Sequence, residues 1–246
     1  MNPRDWDART YDRVADPITG WGNAVLDRLE LRGHERVLDA GCGTGRVTEA
    51  LRDRLPDGRV VALDASPSML AEARSRLGDD RTEYVLADLG RPLPLDEPVD
   101  AVFSNATFHW VLDHVALFTH LAAVLRPGGP LVAQCGGAGN IASVLEALRR
   151  TGHPGPHPFH FAGPDDTRRR LESAGFVEVR TWLHPEPTPF PPGEPLQEYL
   201  ATVVLGSHLE QLPPEKRRDF VRQVSERMPK PEVDYVRLNI LARRAR

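Results

Sequence analysis

The stretch Val37-Leu38-Asp39-Ala40-Gly41-Cys42-Gly43-Thr44-Gly45 decides the fold. A short apolar run broken by one acid enters a turn with glycine at every second position. Residues 46–55 then read as a helix with Val47, Ala50, Leu51 and Leu55 on one face. Alternate glycines let the backbone turn sharply and let a ligand approach without meeting a Cβ. Such a turn stands at the carboxyl end of a strand, where open α/β sheets bind their ligands.

Upstream, a polar segment carries two large aromatics, Trp6 and Tyr11, before a helical pattern of Ile18, Trp21, Val25, Leu26 and Leu29 that Gly33 ends. Downstream, strands are predicted at residues 59–63, 83–87, 99–104 and 131–135. Ser66-Pro67 starts one helix, with a hydroxyl cap followed by proline at the first position. Asp113 is the expected cap of another, with Leu112 and Leu117 placed as a hydrophobic staple. Five strands alternating with four helices predict a parallel sheet covered by helices on both faces. Asp39, Asp64 and Asp88 all fall at strand ends, so they share one sheet edge with the glycine turn.

The second half is less regular. Residues 136–140 read as a flexible glycine loop, and residues 151–164 as a surface loop. A helix at 165–174 and a strand at 176–183 follow. Pro185, Pro187, Pro189, Pro191, Pro192 and Pro195 then predict a stiff extended connector. Two amphipathic helices come next, and a strand over 235–242 closes the chain, with Val236, Leu238, Ile240 and Ala242 alternating with Tyr235, Arg237, Asn239 and Leu241.

Composition excludes some functions. The 246 residues carry a net charge of −4, so no overall basic surplus draws nucleic acid. No apolar run reaches the roughly 20 residues that span a bilayer. Cys42 and Cys135 have no ligand spacing and read as free thiols. With a polar N-terminus, these features predict a cytoplasmic protein. His153, His157 and His160 are separated by prolines and predict an irregular loop, not a metal site. Arg168-Arg169-Arg170 reads as a solvated helix face.

Two ligand classes compete for the turn. A dinucleotide fingerprint, G-x-G-x-x-G, needs a third glycine where this chain has Arg46, and Asp39 would face a pyrophosphate unfavourably. A ligand carrying an ammonium and a sulfonium would welcome that carboxylate. Asp64 suits ribose hydroxyls in either class, and Asp88 can accept from an adenine amino group.

Residues 37–45, Leu63-Asp64-Ala65-Ser66-Pro67-Ser68-Met69, Ala87-Asp88 and Leu125-Arg126-Pro127-Gly128-Gly129, in this order and spacing, resemble the motifs of class I S-adenosylmethionine-dependent methyltransferases. Ser104-Asn105-Ala106-Thr107-Phe108-His109-Trp110-Val111-Leu112-Asp113-His114 is similar to the segment after the fourth strand in trans-aconitate methyltransferases. The implied fold is a Rossmann-like seven-stranded α/β sheet whose last strand is antiparallel. The implied cofactor is S-adenosylmethionine, leaving as S-adenosylhomocysteine.

The resemblance implies that Tyr11, Asp39, Gly41, Cys42, Gly43, Asp64, Ala65, Met69, Asp88, Leu89 and Asn105 hold the cofactor, and that Trp6, His109, Trp110 and Gln134 meet the substrate. His109 is the candidate base by location, although a carboxylate acceptor needs none. The expected organisation is a core with an N-terminal lid segment over 1–184, a helical cap over 185–232 and the final core strand over 233–246. The expected activity is methylation of a small molecule, foremost at a carboxylate. The alternatives are base-assisted O-, N- or C-methylation of a metabolite, or a regulatory protein that binds the cofactor without catalysis. No nucleic-acid or membrane partner is expected.

Overall fold

Residues 37–40 lie in β1 (Arg36–Ala40), all of whose residues are buried. The computed structural model describes residues 5–14, 16–152 and 159–246. Beside β1 run β2 (Arg59–Asp64), β3 (Thr82–Leu86), β4 (Ala101–Asn105) and β5 (Pro130–Gly136). The long strands β6 (Phe176–Pro189) and β7 (Glu232–Arg244) complete a seven-stranded sheet of order β3-β2-β1-β4-β5-β7-β6. β1 to β5 are parallel, and β7 is antiparallel to both β5 and β6. β1 pairs with β2 on one side and β4 on the other, so strand order reverses there. This opens a crevice at the carboxyl ends of β1 and β4.

Side-chain alternation divides the core. Val37, Val60 and Phe103 face α2 (Asp16–Leu26) and α3 (Arg46–Asp53). Ala62 meets Leu70 and Ala73 of α4 (Pro67–Leu77) on that side. Leu38, Val61 and Leu63 face α5 (His114–Val124) and α7 (Pro164–Ser173), leaving α1 (Ala8–Val14) and α6 (Ala142–Arg149) at the sheet's carboxyl edge. Both predicted caps form. Ser66 Oγ accepts from Met69 N, and Asp113 Oδ1 accepts from Val115 N and Ala116 N.

The region expected to form a cap contains α8 (Glu194–Tyr199), a π-turn (Leu200–Val204), α9 (Gly206–Leu209) and α10 (Pro214–Arg227). Its apolar residues share one cluster with Ile18 of α2, Val144 and Leu148 of α6, and Tyr235 of β7. No helix of the described residues is long and apolar enough to cross a membrane.

Three local expectations are corrected. The proline run is not simply a connector, because β6 continues through Pro185, Pro187 and Pro189 while pairing with β7. This places strand five residues beyond the boundary expected at 184/185. β6 is an edge strand, so every second residue turns its backbone nitrogen away from its one neighbour, and proline at those positions loses no ladder bond. Residues 136–140 are not a slack loop either. Gly136 and Gly137 are buried, and Asn140 Oδ1 accepts from Val236 N at 2.9 Å. Leu112 makes no buried staple with Leu117, since Leu117 is fully buried and Leu112 is 53% exposed at a cavity rim.

Candidate active site

The glycine turn takes its shape from backbone bonds: Gly41 N and Cys42 N both donate to Leu63 O of β2, at 2.8 and 2.9 Å. Gly41 and Gly43 have φ of +88° and +55°, which L side chains adopt only with strain. A Cβ on Gly41 would lie 2.2 Å from Thr107 Oγ1, so this glycine makes room for the segment after β4. A Cβ on Gly43 would meet no atom within 4 Å, because this part of the turn faces a cavity of about 1050 Å³.

The three strand-end acids line that cavity. Asp39 is 2% exposed and accepts from Thr48 Oγ1 at 2.7 Å. Burial raises its pKa to about 7, Thr48 opposes the shift, and nearby Asp64 adds to it. Asp64 accepts from Gly43 N and Ser66 N, both at 2.9 Å, and burial raises its pKa too. Asp88 accepts from Gly90 N at 2.8 Å beside buried Leu89. Cys42 lines the same wall, its thiol pushed well above the ordinary range by burial. Ala65, Met69 and Asn105 are lining residues as well. Asn105 Nδ2 donates to Ile18 O at 3.0 Å, and its Oδ1 is buried without a partner.

These residues fit S-adenosylmethionine. A buried acid raised in the absence of a cation would be re-ionised by an ammonium. Asp64 keeps lone pairs for ribose hydroxyls, and Gly43 opens the floor of the turn.

The N-terminal segment is pinned across this end. Asp5 accepts from Ser66 Oγ, Ser68 N and Ser68 Oγ. Asp12 accepts from Thr44 Oγ1 and Arg76 Nη2, while Arg46 donates to the Asp12 carbonyl. Tyr11 and Trp6 therefore line the cavity, their rings 5.5 Å apart, and burial raises the Tyr11 phenol.

The far end is aromatic. Trp110 follows β4 on a 3-10 turn (Phe108–Trp110) and meets Trp6 edge-on at 5.1 Å and Phe159 at 4.8 Å. His109 lies 5.8 Å from the Phe161 ring and is 8% exposed. Burial first, then the positive charges of Arg237 and His114, hold its pKa well below the usual imidazole value. Gly136 N donates to His109 Nδ1 at 3.3 Å. The neutral ring therefore carries its proton on Nε2. A Cβ on Gly136 would stand 2.8 Å from Phe161, so glycine permits this close wall.

Gln134 is a correction. It does not line the cavity with Trp6, His109 and Trp110. Its Nε2 donates to Asn239 Oδ1 at 2.9 Å, and its Oε1 accepts from Arg237 Nε at 3.2 Å.

Arg237 is the residue that sequence reading missed. It is 2% exposed, lines the cavity, and has its guanidinium 4.9 Å from the Trp21 ring and 5.9 Å from that of Tyr235. Its Nη2 is buried without a partner. Burial lowers its pKa, against the opposing pull of Cys135, Tyr235, Tyr199 and Tyr11. No carboxylate of the described residues pairs with it. The alternation in β7 was legible, but that its polar side faces a cavity was not. His160 is held between Leu112 O and Arg170, while His153 and His157 lie outside the described residues.

Comparison with known proteins agrees with this architecture. Residues 37–129 match a family model described as a methyltransferase domain. The chain is 38% identical over 181 residues to a trans-aconitate 2-methyltransferase of Methylobacterium nodulans, covering 73% of this chain and 67% of the relative. It is 31% identical over 229 residues to the Methylobacterium radiotolerans protein of the same name, covering 88% and 86%. The match to the Variovorax paradoxus protein, also so named, is 42% over 130 residues and spans about half of each chain, 53% and 49%.

Among solved structures, a Haloferax volcanii putative methyltransferase in complex with the Trm112 activator superposes with a TM-score of 0.64 at 19% identity, over 98% and 95% of the two chains. A phosphoethanolamine N-methyltransferase of Haemonchus contortus in complex with S-adenosyl-L-methionine gives 0.64 at 19% identity, over 97% and 56%. These structural likenesses show the class I methyltransferase fold.

Proposed function

The chain belongs to the trans-aconitate 2-methyltransferase family of S-adenosylmethionine-dependent enzymes, and from that premise we propose that it methylates a carboxylate oxygen of a small polyanionic acid of the trans-aconitate kind. The observation that carries this reading is Arg237, a buried guanidinium lining the cavity with no acid among the described residues to neutralise it. Such a group costs stability in isolation and becomes favourable when an anion seats against it.

When bound, the cofactor supplies a methyl group already activated on a sulfonium. The chain's contribution is to bind, orient and exclude water. Asp39 offsets the ligand's positive charge, Asp64 accepts from ribose hydroxyls, and Asp88 with the Leu89 amide reads the adenine edge between Ala65 and Met69. Gly41, Cys42 and Gly43 form the floor beneath the amino-acid tail, near Asn105. Tyr11 and Trp6 close the near side. Arg237 anchors the acid, and Trp110, Phe159 and Phe161 form a dry wall around its reacting end.

His109 acts as a hydrogen-bond donor through Nε2. Gly136 occupies the lone pair on Nδ1, which leaves no basic nitrogen on the neutral ring. A carboxylate is already ionised near neutral pH and needs no base. The cap helices over 194–227 close the acceptor end, and the segment 5–14 serves as the near-side lid.

The test is Arg237→Met with trans-aconitate as acceptor. We expect KM to rise about 100-fold while S-adenosylhomocysteine affinity stays within about 3-fold. An unchanged KM, or a wild-type protein that forms no ester from any small acid, overturns the reading.

A further inference from the structure

Arg237 is one end of a four-residue polar chain, and both ends of that chain are arginines. Arg28, held 5.3 Å from the Trp182 ring, donates through Nη1 to Asn239 Oδ1 at 2.5 Å. Asn239 Oδ1 also accepts from Gln134 Nε2, and Gln134 Oε1 accepts from Arg237 Nε. The direction of every bond is fixed, because arginine only donates. Arg28 demands the oxygen of Asn239, and that oxygen in turn demands the amide nitrogen of Gln134. The oxygen of Gln134 is then left to face Arg237. Asn239 Nδ2 donates to the Arg237 carbonyl at 3.3 Å, which ties the hub to the strand it serves.

Among the described residues, two guanidiniums thus share two neutral amides and no carboxylate. Arg28 is exposed, but Gln134 and Asn239 are 6% and 1% exposed, so solvent screens the inner links little. An acid at position 134 would sit 3.2 Å from Arg237 Nε and satisfy the guanidinium internally. The amide instead orients Arg237 by one hydrogen bond while leaving its charge unmatched toward the cavity.

Resting on the proposed role of Arg237 as the acid's anchor, we propose that Gln134 is the residue that sets acceptor charge. It reserves the Arg237 guanidinium for an anionic group on the substrate, and Asn239 and Arg28 lock the amide orientation that makes this work. Gln134 is a positioning and specificity residue. It touches neither the acceptor nor the cofactor.

The experiment compares Gln134→Glu, nearly isosteric and anionic, with Gln134→Met, similar in size and apolar. Calorimetry first measures S-adenosylhomocysteine binding to each variant, then trans-aconitate binding to each binary complex, with Arg237→Met alongside. Steady-state rates are taken with trans-aconitate and with an acceptor in which one carboxylate is a neutral amide. We expect S-adenosylhomocysteine affinity to stay within about 3-fold throughout. Trans-aconitate should bind Gln134→Glu about 30-fold or more weakly and Gln134→Met only about 3- to 10-fold more weakly. The monoamide should lose little KM in Gln134→Glu, so the preference for the full acid narrows.

Equal losses in the Glu and Met variants would reduce Gln134 to packing and overturn the proposal. If Arg237→Met abolishes acid binding and Gln134→Glu does not, the anchor stands and the proposal falls. If the wild type binds no acid, or Arg237→Met binds it normally, the anchor itself is wrong and the proposal falls with it. If Gln134→Glu loses the cofactor as well, its effect is not confined to the anion site and the proposal falls.

Discussion

The two ends of the cavity are built differently. The cofactor end is made from contiguous segments: the turn over 41–45, the strand end at Asp64 with its capped helix, and Asp88 just past β3. Its shape depends on backbone, through positive φ at Gly41 and Gly43 and amides held by Leu63 O and the Asp64 carboxylate. The acceptor end is made of side chains brought from afar: His109 and Trp110 after β4, Phe159 and Phe161 before α7, and Tyr235 and Arg237 on β7. The first end holds acids and awaits a cation. The second holds a cation and awaits an acid. A site that must juxtapose a sulfonium and an anion is thereby divided by charge before either ligand binds.

The largest expected effect lies at the backbone-built end. Gly41→Ala places a Cβ 2.2 Å from Thr107 Oγ1 at a φ of +88°. It should weaken S-adenosylhomocysteine binding by about 100-fold or more and lower the melting temperature, reflecting roughly 2–3 kcal/mol of strain. Binding and melting unchanged from wild type would break the claim that backbone shape governs this end.

Next comes Arg237→Met, with its expected 100-fold rise in KM for the acid. The comparison is sharpened if the two variants do not cross over, so that Arg237→Met spares the cofactor.

A smaller effect follows from Asp39. Its pKa of about 7 is raised above the ordinary carboxylate value, so the unliganded protein holds this proton more tightly than an exposed acid does. A cationic ligand prefers the ionised form, and binding below that pKa must expel the proton. Affinity for S-adenosylhomocysteine should therefore fall about tenfold from pH 8 to pH 6. Titration calorimetry should show the slope flattened in Asp39→Asn, and a slope unchanged in that variant refutes the assignment.

The smallest effect is expected at His109. Gln at this position still offers a donor, and kcat should stay within about 3-fold. A 100-fold loss of kcat with both ligands bound normally would restore His109 as a base.

Legibility in the sequence follows the same division. The glycine turn, the caps at Ser66 and Asp113 and the alternation of β1 to β5 were readable because each depends on neighbours within a few positions. The prolines at 185, 187 and 189 were misread as a connector, since their place in β6 depends on the sheet ending there and leaving one side of the strand unpaired. The family resemblance assigned Gln134 to the substrate, but the hydrogen-bonding demand of Arg28 and Asn239 turns it the other way. Arg237 looked like one polar position in an alternating terminal strand. Only its three-dimensional surroundings distinguish it from a solvated arginine.

By itself, then, the sequence determined the parallel core, the glycine turn, the row of acids at its edge and the family to which the chain belongs. These rest on local backbone conformation and short-range periodicity, which the order of residues encodes directly. Tertiary structure alone decided which buried charge stays unmatched, which nitrogen of His109 carries the proton, and which way the Gln134 amide points. Those outcomes depend on donors and acceptors supplied by segments as much as 211 residues apart, and on a burial that makes each unmatched group costly.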